Sequence, residues 1–113
     1  MHELGLMDAV IRTVGRIIKE ENLKHVRKIV LEVGELSGAV PHFIINCYEA
    51  VVADTQYQDT ELILEIVPGI ARCNDCHIEF KIDIEKLCCP ECYGKNLKPI
   101  DGKDLTIKEI EAY

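Results

Sequence analysis

The 113-residue chain contains no Trp, and aromatics make up only 5% of it, so base-stacking platforms for single-stranded nucleic acid are not expected. A basic surplus is missing as well. Thirteen Lys and Arg stand against 20 Asp and Glu, a net charge of −7, which leaves no cationic surface to displace counterions from a phosphate backbone. No apolar run approaches the ~18–20 residues that cross a bilayer. A basic stretch followed by an apolar one is not apparent at the start, so no secretory leader is expected. What is present is a 48% apolar fraction, enough for a packed core and too much for a disordered chain. The balance describes one acidic, soluble, cytoplasmic domain with room for a small inserted module.

Periodicity outlines the body. Leu4, Met7, Val10, Ile11, Val14, Ile17 and Ile18 recur at spacings of three and four, which predicts an amphipathic helix from Leu4 to Glu21 that stops at Asn22. Val26 to Leu36 reads as a strand, with Ile29, Leu31 and Val33 on one face and Lys28 and Glu32 on the other. A turn-rich stretch, Gly34-Glu35-Leu36-Ser37-Gly38, follows. Pro41 suits a first helical position, and a second helix is expected from there to about Asp54. Leu62 to Val67 reads as a second strand, punctuated by Pro68-Gly69. The final apolar set, Leu105, Ile107 and Ile110, breaks a period of two, and a bulge near Lys108 restores it. The resulting fold class is α+β. Two helices pack on a three-stranded sheet, with a small zinc-ribbon-like four-cysteine module inserted. Residues 1–69 form the body, completed by 95–113 with the last strand, and 70–94 form the module.

Five of the six cysteines fall within twenty residues, which is not how a secreted disulfide scaffold spreads them. Cys73 and Cys76 are separated by two residues, as are Cys89 and Cys92. That spacing lets one turn aim two thiolates at one ion, and two such turns close a tetrahedron. Zn(II) suits a closed structural site of this kind, although iron also accepts four thiolates. A zinc ion among four thiolates makes the chain still more negative, which weakens a nucleic-acid role for the ribbon. Cys88 reads as a bystander, because counted from it the second pair would be spaced by three. Cys47 lies on the second helix as a small core residue. His77 is read as a solvated residue beside the module, with a hydrogen bond to a thiolate or an alternate, pH-sensitive ligand as the sharper option. His25 and His42 read as surface residues.

The chain opens Met1-His2-Glu3. The Met1 amine, the His2 backbone nitrogen and the His2 imidazole can close fused five- and six-membered chelate rings, and the Glu3 backbone nitrogen can complete a square. Planar, nitrogen-rich sites favour Ni(II) or Cu(II). The Glu3 side chain reads either as a carboxylate complementing a helix dipole or as part of a metal or partner surface.

In order along the chain, Met1-His2-Glu3, Val33-Gly34-Glu35-Leu36-Ser37-Gly38 with Pro41 following, the two cysteine pairs with Pro90, and Gly102-x-Asp104-Leu105-x-Ile107-x2-Ile110-Glu111 resemble the HypA/HybF family, the nickel-insertion accessory proteins of NiFe-hydrogenase maturation. The resemblance spans essentially the whole chain. It implies a nickel metallochaperone and not an enzyme. Ni(II) would be transient cargo held by Met1, His2 and Glu3, and Zn(II) would be held structurally by Cys73, Cys76, Cys89 and Cys92. It implies the HypB GTPase, with Glu3 as a candidate contact, and the NiFe-hydrogenase large subunit as partners. Urease maturation factors are further candidates. No nucleic-acid or membrane partner is implied. Some members carry His after both cysteine pairs; here His77 follows the first and Tyr93 the second, so a two-histidine zinc site does not carry over intact. An insertion on flexible connections leaves room for a homodimer, domain-swapped or otherwise. Three rivals remain at this level. A zinc-ribbon binding module for nucleic acid or protein would show a basic stripe, and a rubredoxin-like iron electron carrier would be red. A metallohydrolase would need an open metal position.

Overall fold

The computed structural model describes residues 2–113, with side chains from Glu3 onward. Helix α1 spans His2–Glu20, strand β1 Val26–Gly34, helix α2 Pro41–Val52 and strand β2 Glu61–Val67; β3 (Ile70–Cys73), β4 (Glu79–Lys81), β5 (Leu97–Asp101) and β6 (Leu105–Ala112) follow. These strands form two sheets. The first has the order β2-β1-β6 and the second β4-β3-β5.

Helix α1 forms because its apolar residues fall on one stripe. Met7, Val10, Val14 and Ile18 are buried, while Asp8 and Arg12 pair at 2.8 Å on the exposed face. It ends where the sequence places the stop. Asn22 takes a left-handed φ of 55°, its N–H reaches the Lys19 carbonyl, and the Leu23 N–H reaches back to Ile18 at 2.8 Å. This paired closure satisfies two of the carbonyls that a helix end leaves free, and Leu23 folds onto the core.

Strand β1 is the centre of the first sheet, parallel to β2 and antiparallel to β6. Ile29, Leu31 and Val33 meet α1 and α2 in one cluster with Met7, Val14, Ile44 and Tyr48. The parallel pairing of β1 with β2 requires a crossover, and α2 supplies it. Two buried hydroxyls close the far end: Tyr48 donates to the Thr60 carbonyl at 2.7 Å, and Thr60 donates to the Val26 carbonyl at 2.7 Å. The expected bulge is present. Val30 faces Glu109 and Leu31 faces Ile107, so Lys108 is left over. It turns outward and reaches Glu65 at 2.7 Å, while Leu105, Ile107 and Ile110 all stay on the core side.

Two boundaries differ from the sequence reading. Strand β1 stops at Gly34 instead of Leu36, because Glu35 and Leu36 turn away to bond other segments. The stretch after the second cysteine pair is also not a plain lead-in to the last strand. Leu97–Asp101 is β5, antiparallel to β3, so the small sheet continues to Asp101. Its alternation is short and interrupted by Pro99, which is tolerated because β5 is an edge strand. The protein extends 53 Å along its longest axis, with the chain crossing between the sheets at 68–69 and at 102–104.

Leu31 is fully buried at the centre of the larger sheet. Leu31→Ala is expected to lower unfolding free energy by about 3 kcal/mol, measured by urea titration of zinc-loaded protein.

Candidate metal centre

The four cysteines singled out by spacing converge. One Sγ from each of Cys73, Cys76, Cys89 and Cys92 lies within 4.8 Å of all the others. Cys73 and Cys92 approach to 3.6 Å, and Cys76 and Cys89 to 3.5 Å. These gaps are far above the ~2.05 Å of a disulfide. They are close to the ~3.8 Å edge of a tetrahedron whose sulfurs sit ~2.3 Å from a central Zn(II). The donor set and the spacing therefore fit a four-thiolate metal site.

Each pair is held by the same backbone device. In the first, the His77 N–H bonds the Cys73 carbonyl at 2.8 Å and the Cys73 N–H bonds the Ile78 carbonyl at 2.9 Å. In the second, the Tyr93 N–H bonds the Cys89 carbonyl at 2.9 Å and the Cys89 N–H bonds the Gly94 carbonyl at 2.8 Å. Both turns close through a residue in the left-handed region, His77 at φ 67° and Tyr93 at φ 58°. The residue after each pair thus has a backbone task, whatever its side chain. The first knuckle is also tied to the chain leaving the second. The Asn74 N–H bonds the Asn96 carbonyl at 2.9 Å, and the Asn74 amide bonds the Asn96 side chain at 3.2 Å.

Electrostatics prepare the site for a cation. The Cys76 N–H pointed at the Cys73 sulfur, helped by the Asp75 N–H, lowers that thiol to about 7. The Ile78 N–H favours the Cys76 thiolate, yet the surrounding Cys89, Cys73 and Cys92 sulfurs together with burial push that thiol up to about 12. One sulfur ionises readily and its neighbour resists, as expected when several like charges share one small volume. A divalent cation removes the conflict. Cys73 and Cys89 are fully buried, and with four sulfur ligands no coordination position is left for a reacting water.

The other candidates are placed as follows. Cys88 is half-buried and outside the quartet, with its N–H on the Lys86 carbonyl at 2.7 Å. Cys47 is buried in the core on α2. His25 is exposed against the Tyr113 ring at 5.2 Å, and His42 is exposed beside Asn46 at 3.4 Å. Met1 and the His2 side chain lie outside the described residues. Glu3 accepts the Val40 N–H at 3.1 Å, so its carboxylate sits at the start of α2 as well as in the first turn of α1. The sequence reading missed Asn96 and the carboxylate role of Glu35 described below; neither residue type carries a signal without its partner.

Comparison with known proteins agrees with this arrangement. The family model HypA, described as hydrogenase/urease nickel incorporation, metallochaperone, matches residues 1–112. The chain is 34% identical over 112 residues to the hydrogenase maturation factor HypA of Geotalea uraniireducens, covering 99% of each. It is 31% identical over 111 residues to that of Aquifex aeolicus, covering 98% of this chain and 96% of the other. In fold it is similar to the solution structure of the Ni metallochaperone HypA from Helicobacter pylori. The TM-score is 0.70 at 19% identity, over 97% of this chain and 96% of that one.

Cys89→Ser is expected to lower bound zinc to well under one equivalent, whereas Cys88→Ser keeps one full equivalent. Metal analysis of the two purified variants checks this; equal losses would mean the second pair is assigned wrongly.

Proposed function

The chain belongs to the HypA family of hydrogenase/urease nickel-incorporation metallochaperones, and from that premise we propose that it carries Ni(II) on its first three residues while Zn(II) stays locked among Cys73, Cys76, Cys89 and Cys92. The observation that carries this reading is the closed sulfur quartet. Its four ligands converge on one point and leave nothing for a cargo that must come and go. Cargo therefore needs a second, open site.

The N-terminus suits that need. The Met1 amine, the His2 amide and imidazole, and the Glu3 amide offer four nitrogens in sequence. Helix α1 begins at His2, so the His2 and Glu3 amides belong to the first turn, where N–H groups have no acceptor within the helix. Nickel can displace their protons without breaking a helical hydrogen bond. Terminal residues also exchange ligands easily. Binding releases protons from the amine and the amides, so acid weakens it and favours release.

The cargo is delivered to the large subunit of a NiFe-hydrogenase, in company with the HypB GTPase, in the cytoplasm. The family description also names urease nickel incorporation, and urease maturation factors are the alternative partners. Glu3 is the candidate contact for the GTPase. None of the described helices is long and apolar enough to cross a membrane, which is compatible with this setting. A homodimer remains open to the same fold through the two connections between the sheets.

Adding one residue before Met1 is expected to weaken nickel binding by more than about tenfold, because a donor linked at high effective concentration is moved away. Calorimetry on tag-free and extended protein measures it, and equal affinities would rule the amine out. His2→Ala should lose nickel while zinc content and circular dichroism stay unchanged. Loss of zinc in that variant would sink the two-site division.

A further inference from the structure

Two connections join the sheets, Pro68-Gly69 on the way out and residues 102–104 on the way back, and the turn after β1 bonds both of them. The Glu35 N–H donates to the Val67 carbonyl at 2.9 Å, the Leu36 N–H to the Gly102 carbonyl at 2.8 Å, and the Gly34 N–H to the Asp104 carbonyl at 2.9 Å. The Glu35 carboxylate then accepts the Gly69 N–H at 2.9 Å, one residue before β3 begins. On the other side of Gly69, its carbonyl accepts the Ile82 N–H from the small sheet's own loop.

The crossing is packed backbone on backbone. A Cβ at Gly34 would lie 2.1 Å from the Gly102 carbonyl oxygen. Gly102 itself has a φ of +68°, and its Cβ would lie 2.3 Å from the Pro68 carbonyl oxygen. Larger residues cannot enter without moving a connection. The same segment is tethered at its far end. The Ala39 N–H bonds the Ser37 hydroxyl at 3.2 Å, and the Val40 N–H bonds the Glu3 carboxylate. Residues 34–40 therefore run from the root of the cysteine module to the first turn of α1, with a carboxylate bond at each end.

We propose that residues 34–40 act as a strut that holds the cysteine module in register with the N-terminal tip, and that Glu35 is the positioning residue that closes it. The functional weight of that relation rests on the proposed nickel site at residues 1–3; the strut itself does not. A carboxylate is suited to the task because a bond from an N–H to a charged acceptor is stronger than one to a neutral acceptor. Gln at this position keeps an acceptor oxygen, and Ala removes it.

The test uses residual dipolar couplings on full-length, zinc-loaded protein. In the unaltered protein and in Glu35→Gln, couplings from both sheets should fit a single alignment tensor. In Glu35→Ala the small sheet should need a tensor of its own, with zinc content and nickel affinity unchanged. A single tensor in Glu35→Ala, with the original orientation, overturns the proposal. If Glu35→Ala does not fold, exchange of the Gly69 amide decides. Protection of about ten- to a hundredfold in the unaltered protein, retained in Glu35→Gln, supports the latch. Exchange at the free-peptide rate refutes it. Absence of nickel binding in the unaltered protein would remove the nickel reading and leave the orientation result standing.

Discussion

The small sheet depends on four sulfurs sharing one point in space. Between Ile70 and Asp101 the buried residues of the hydrophobic core are few: Ala71, Cys73, Ile82 and Cys89. Half of them are metal-ligand candidates. Three short strands with so little apolar burial do not hold themselves together, and a metal ion among the four thiolates would take the place of a core. The body is built the other way. Its helices and central strand bury one continuous, mostly aliphatic cluster, and the buried hydroxyls of Tyr48 and Thr60 are both hydrogen-bonded. The small sheet is suited to being held by coordination, and the larger body is held by exclusion of water.

That contrast fits the proposal of two metal sites with different tasks in one small protein. A closed quartet of four soft ligands, two of them buried, suits slow exchange and an architectural role. The proposed nitrogen site at the chain tip draws on terminal residues, which release a ligand more readily than a closed quartet does. The turn after β1 links the cysteine module to the first turn of α1. Glu35 bonds the root of the cysteine module and Val40 bonds Glu3 in the first turn of α1, and both lie on the seven-residue path 34–40. The Gly34-Glu35-Leu36-Ser37-Gly38 stretch, which reads as a simple turn in sequence, is a junction of three chain segments.

Much of the arrangement was legible beforehand. The α1 stripe, the stop at Asn22, the Pro41 start of α2 and the bulge at Lys108 all follow from side-chain periodicity and local backbone chemistry. The same holds for the cysteine quartet, because two residues between ligands is a local constraint on one turn. What escaped was non-local. Strand β5 has a weak pattern broken by Pro99 and gains its identity from pairing with β3. Asn96 and Glu35 are polar residues in loops, and each acts on a backbone group more than twenty residues away.

By itself the sequence determined the two helices, the three strands of the larger sheet and the two ligand pairs, since each depends on the order and spacing of neighbouring residues. Tertiary structure alone decided how the pairs face each other, how far the small sheet extends and what the turn after β1 binds. Those outcomes depend on which distant backbone groups come within hydrogen-bonding reach, and that is a property of the folded chain as a whole.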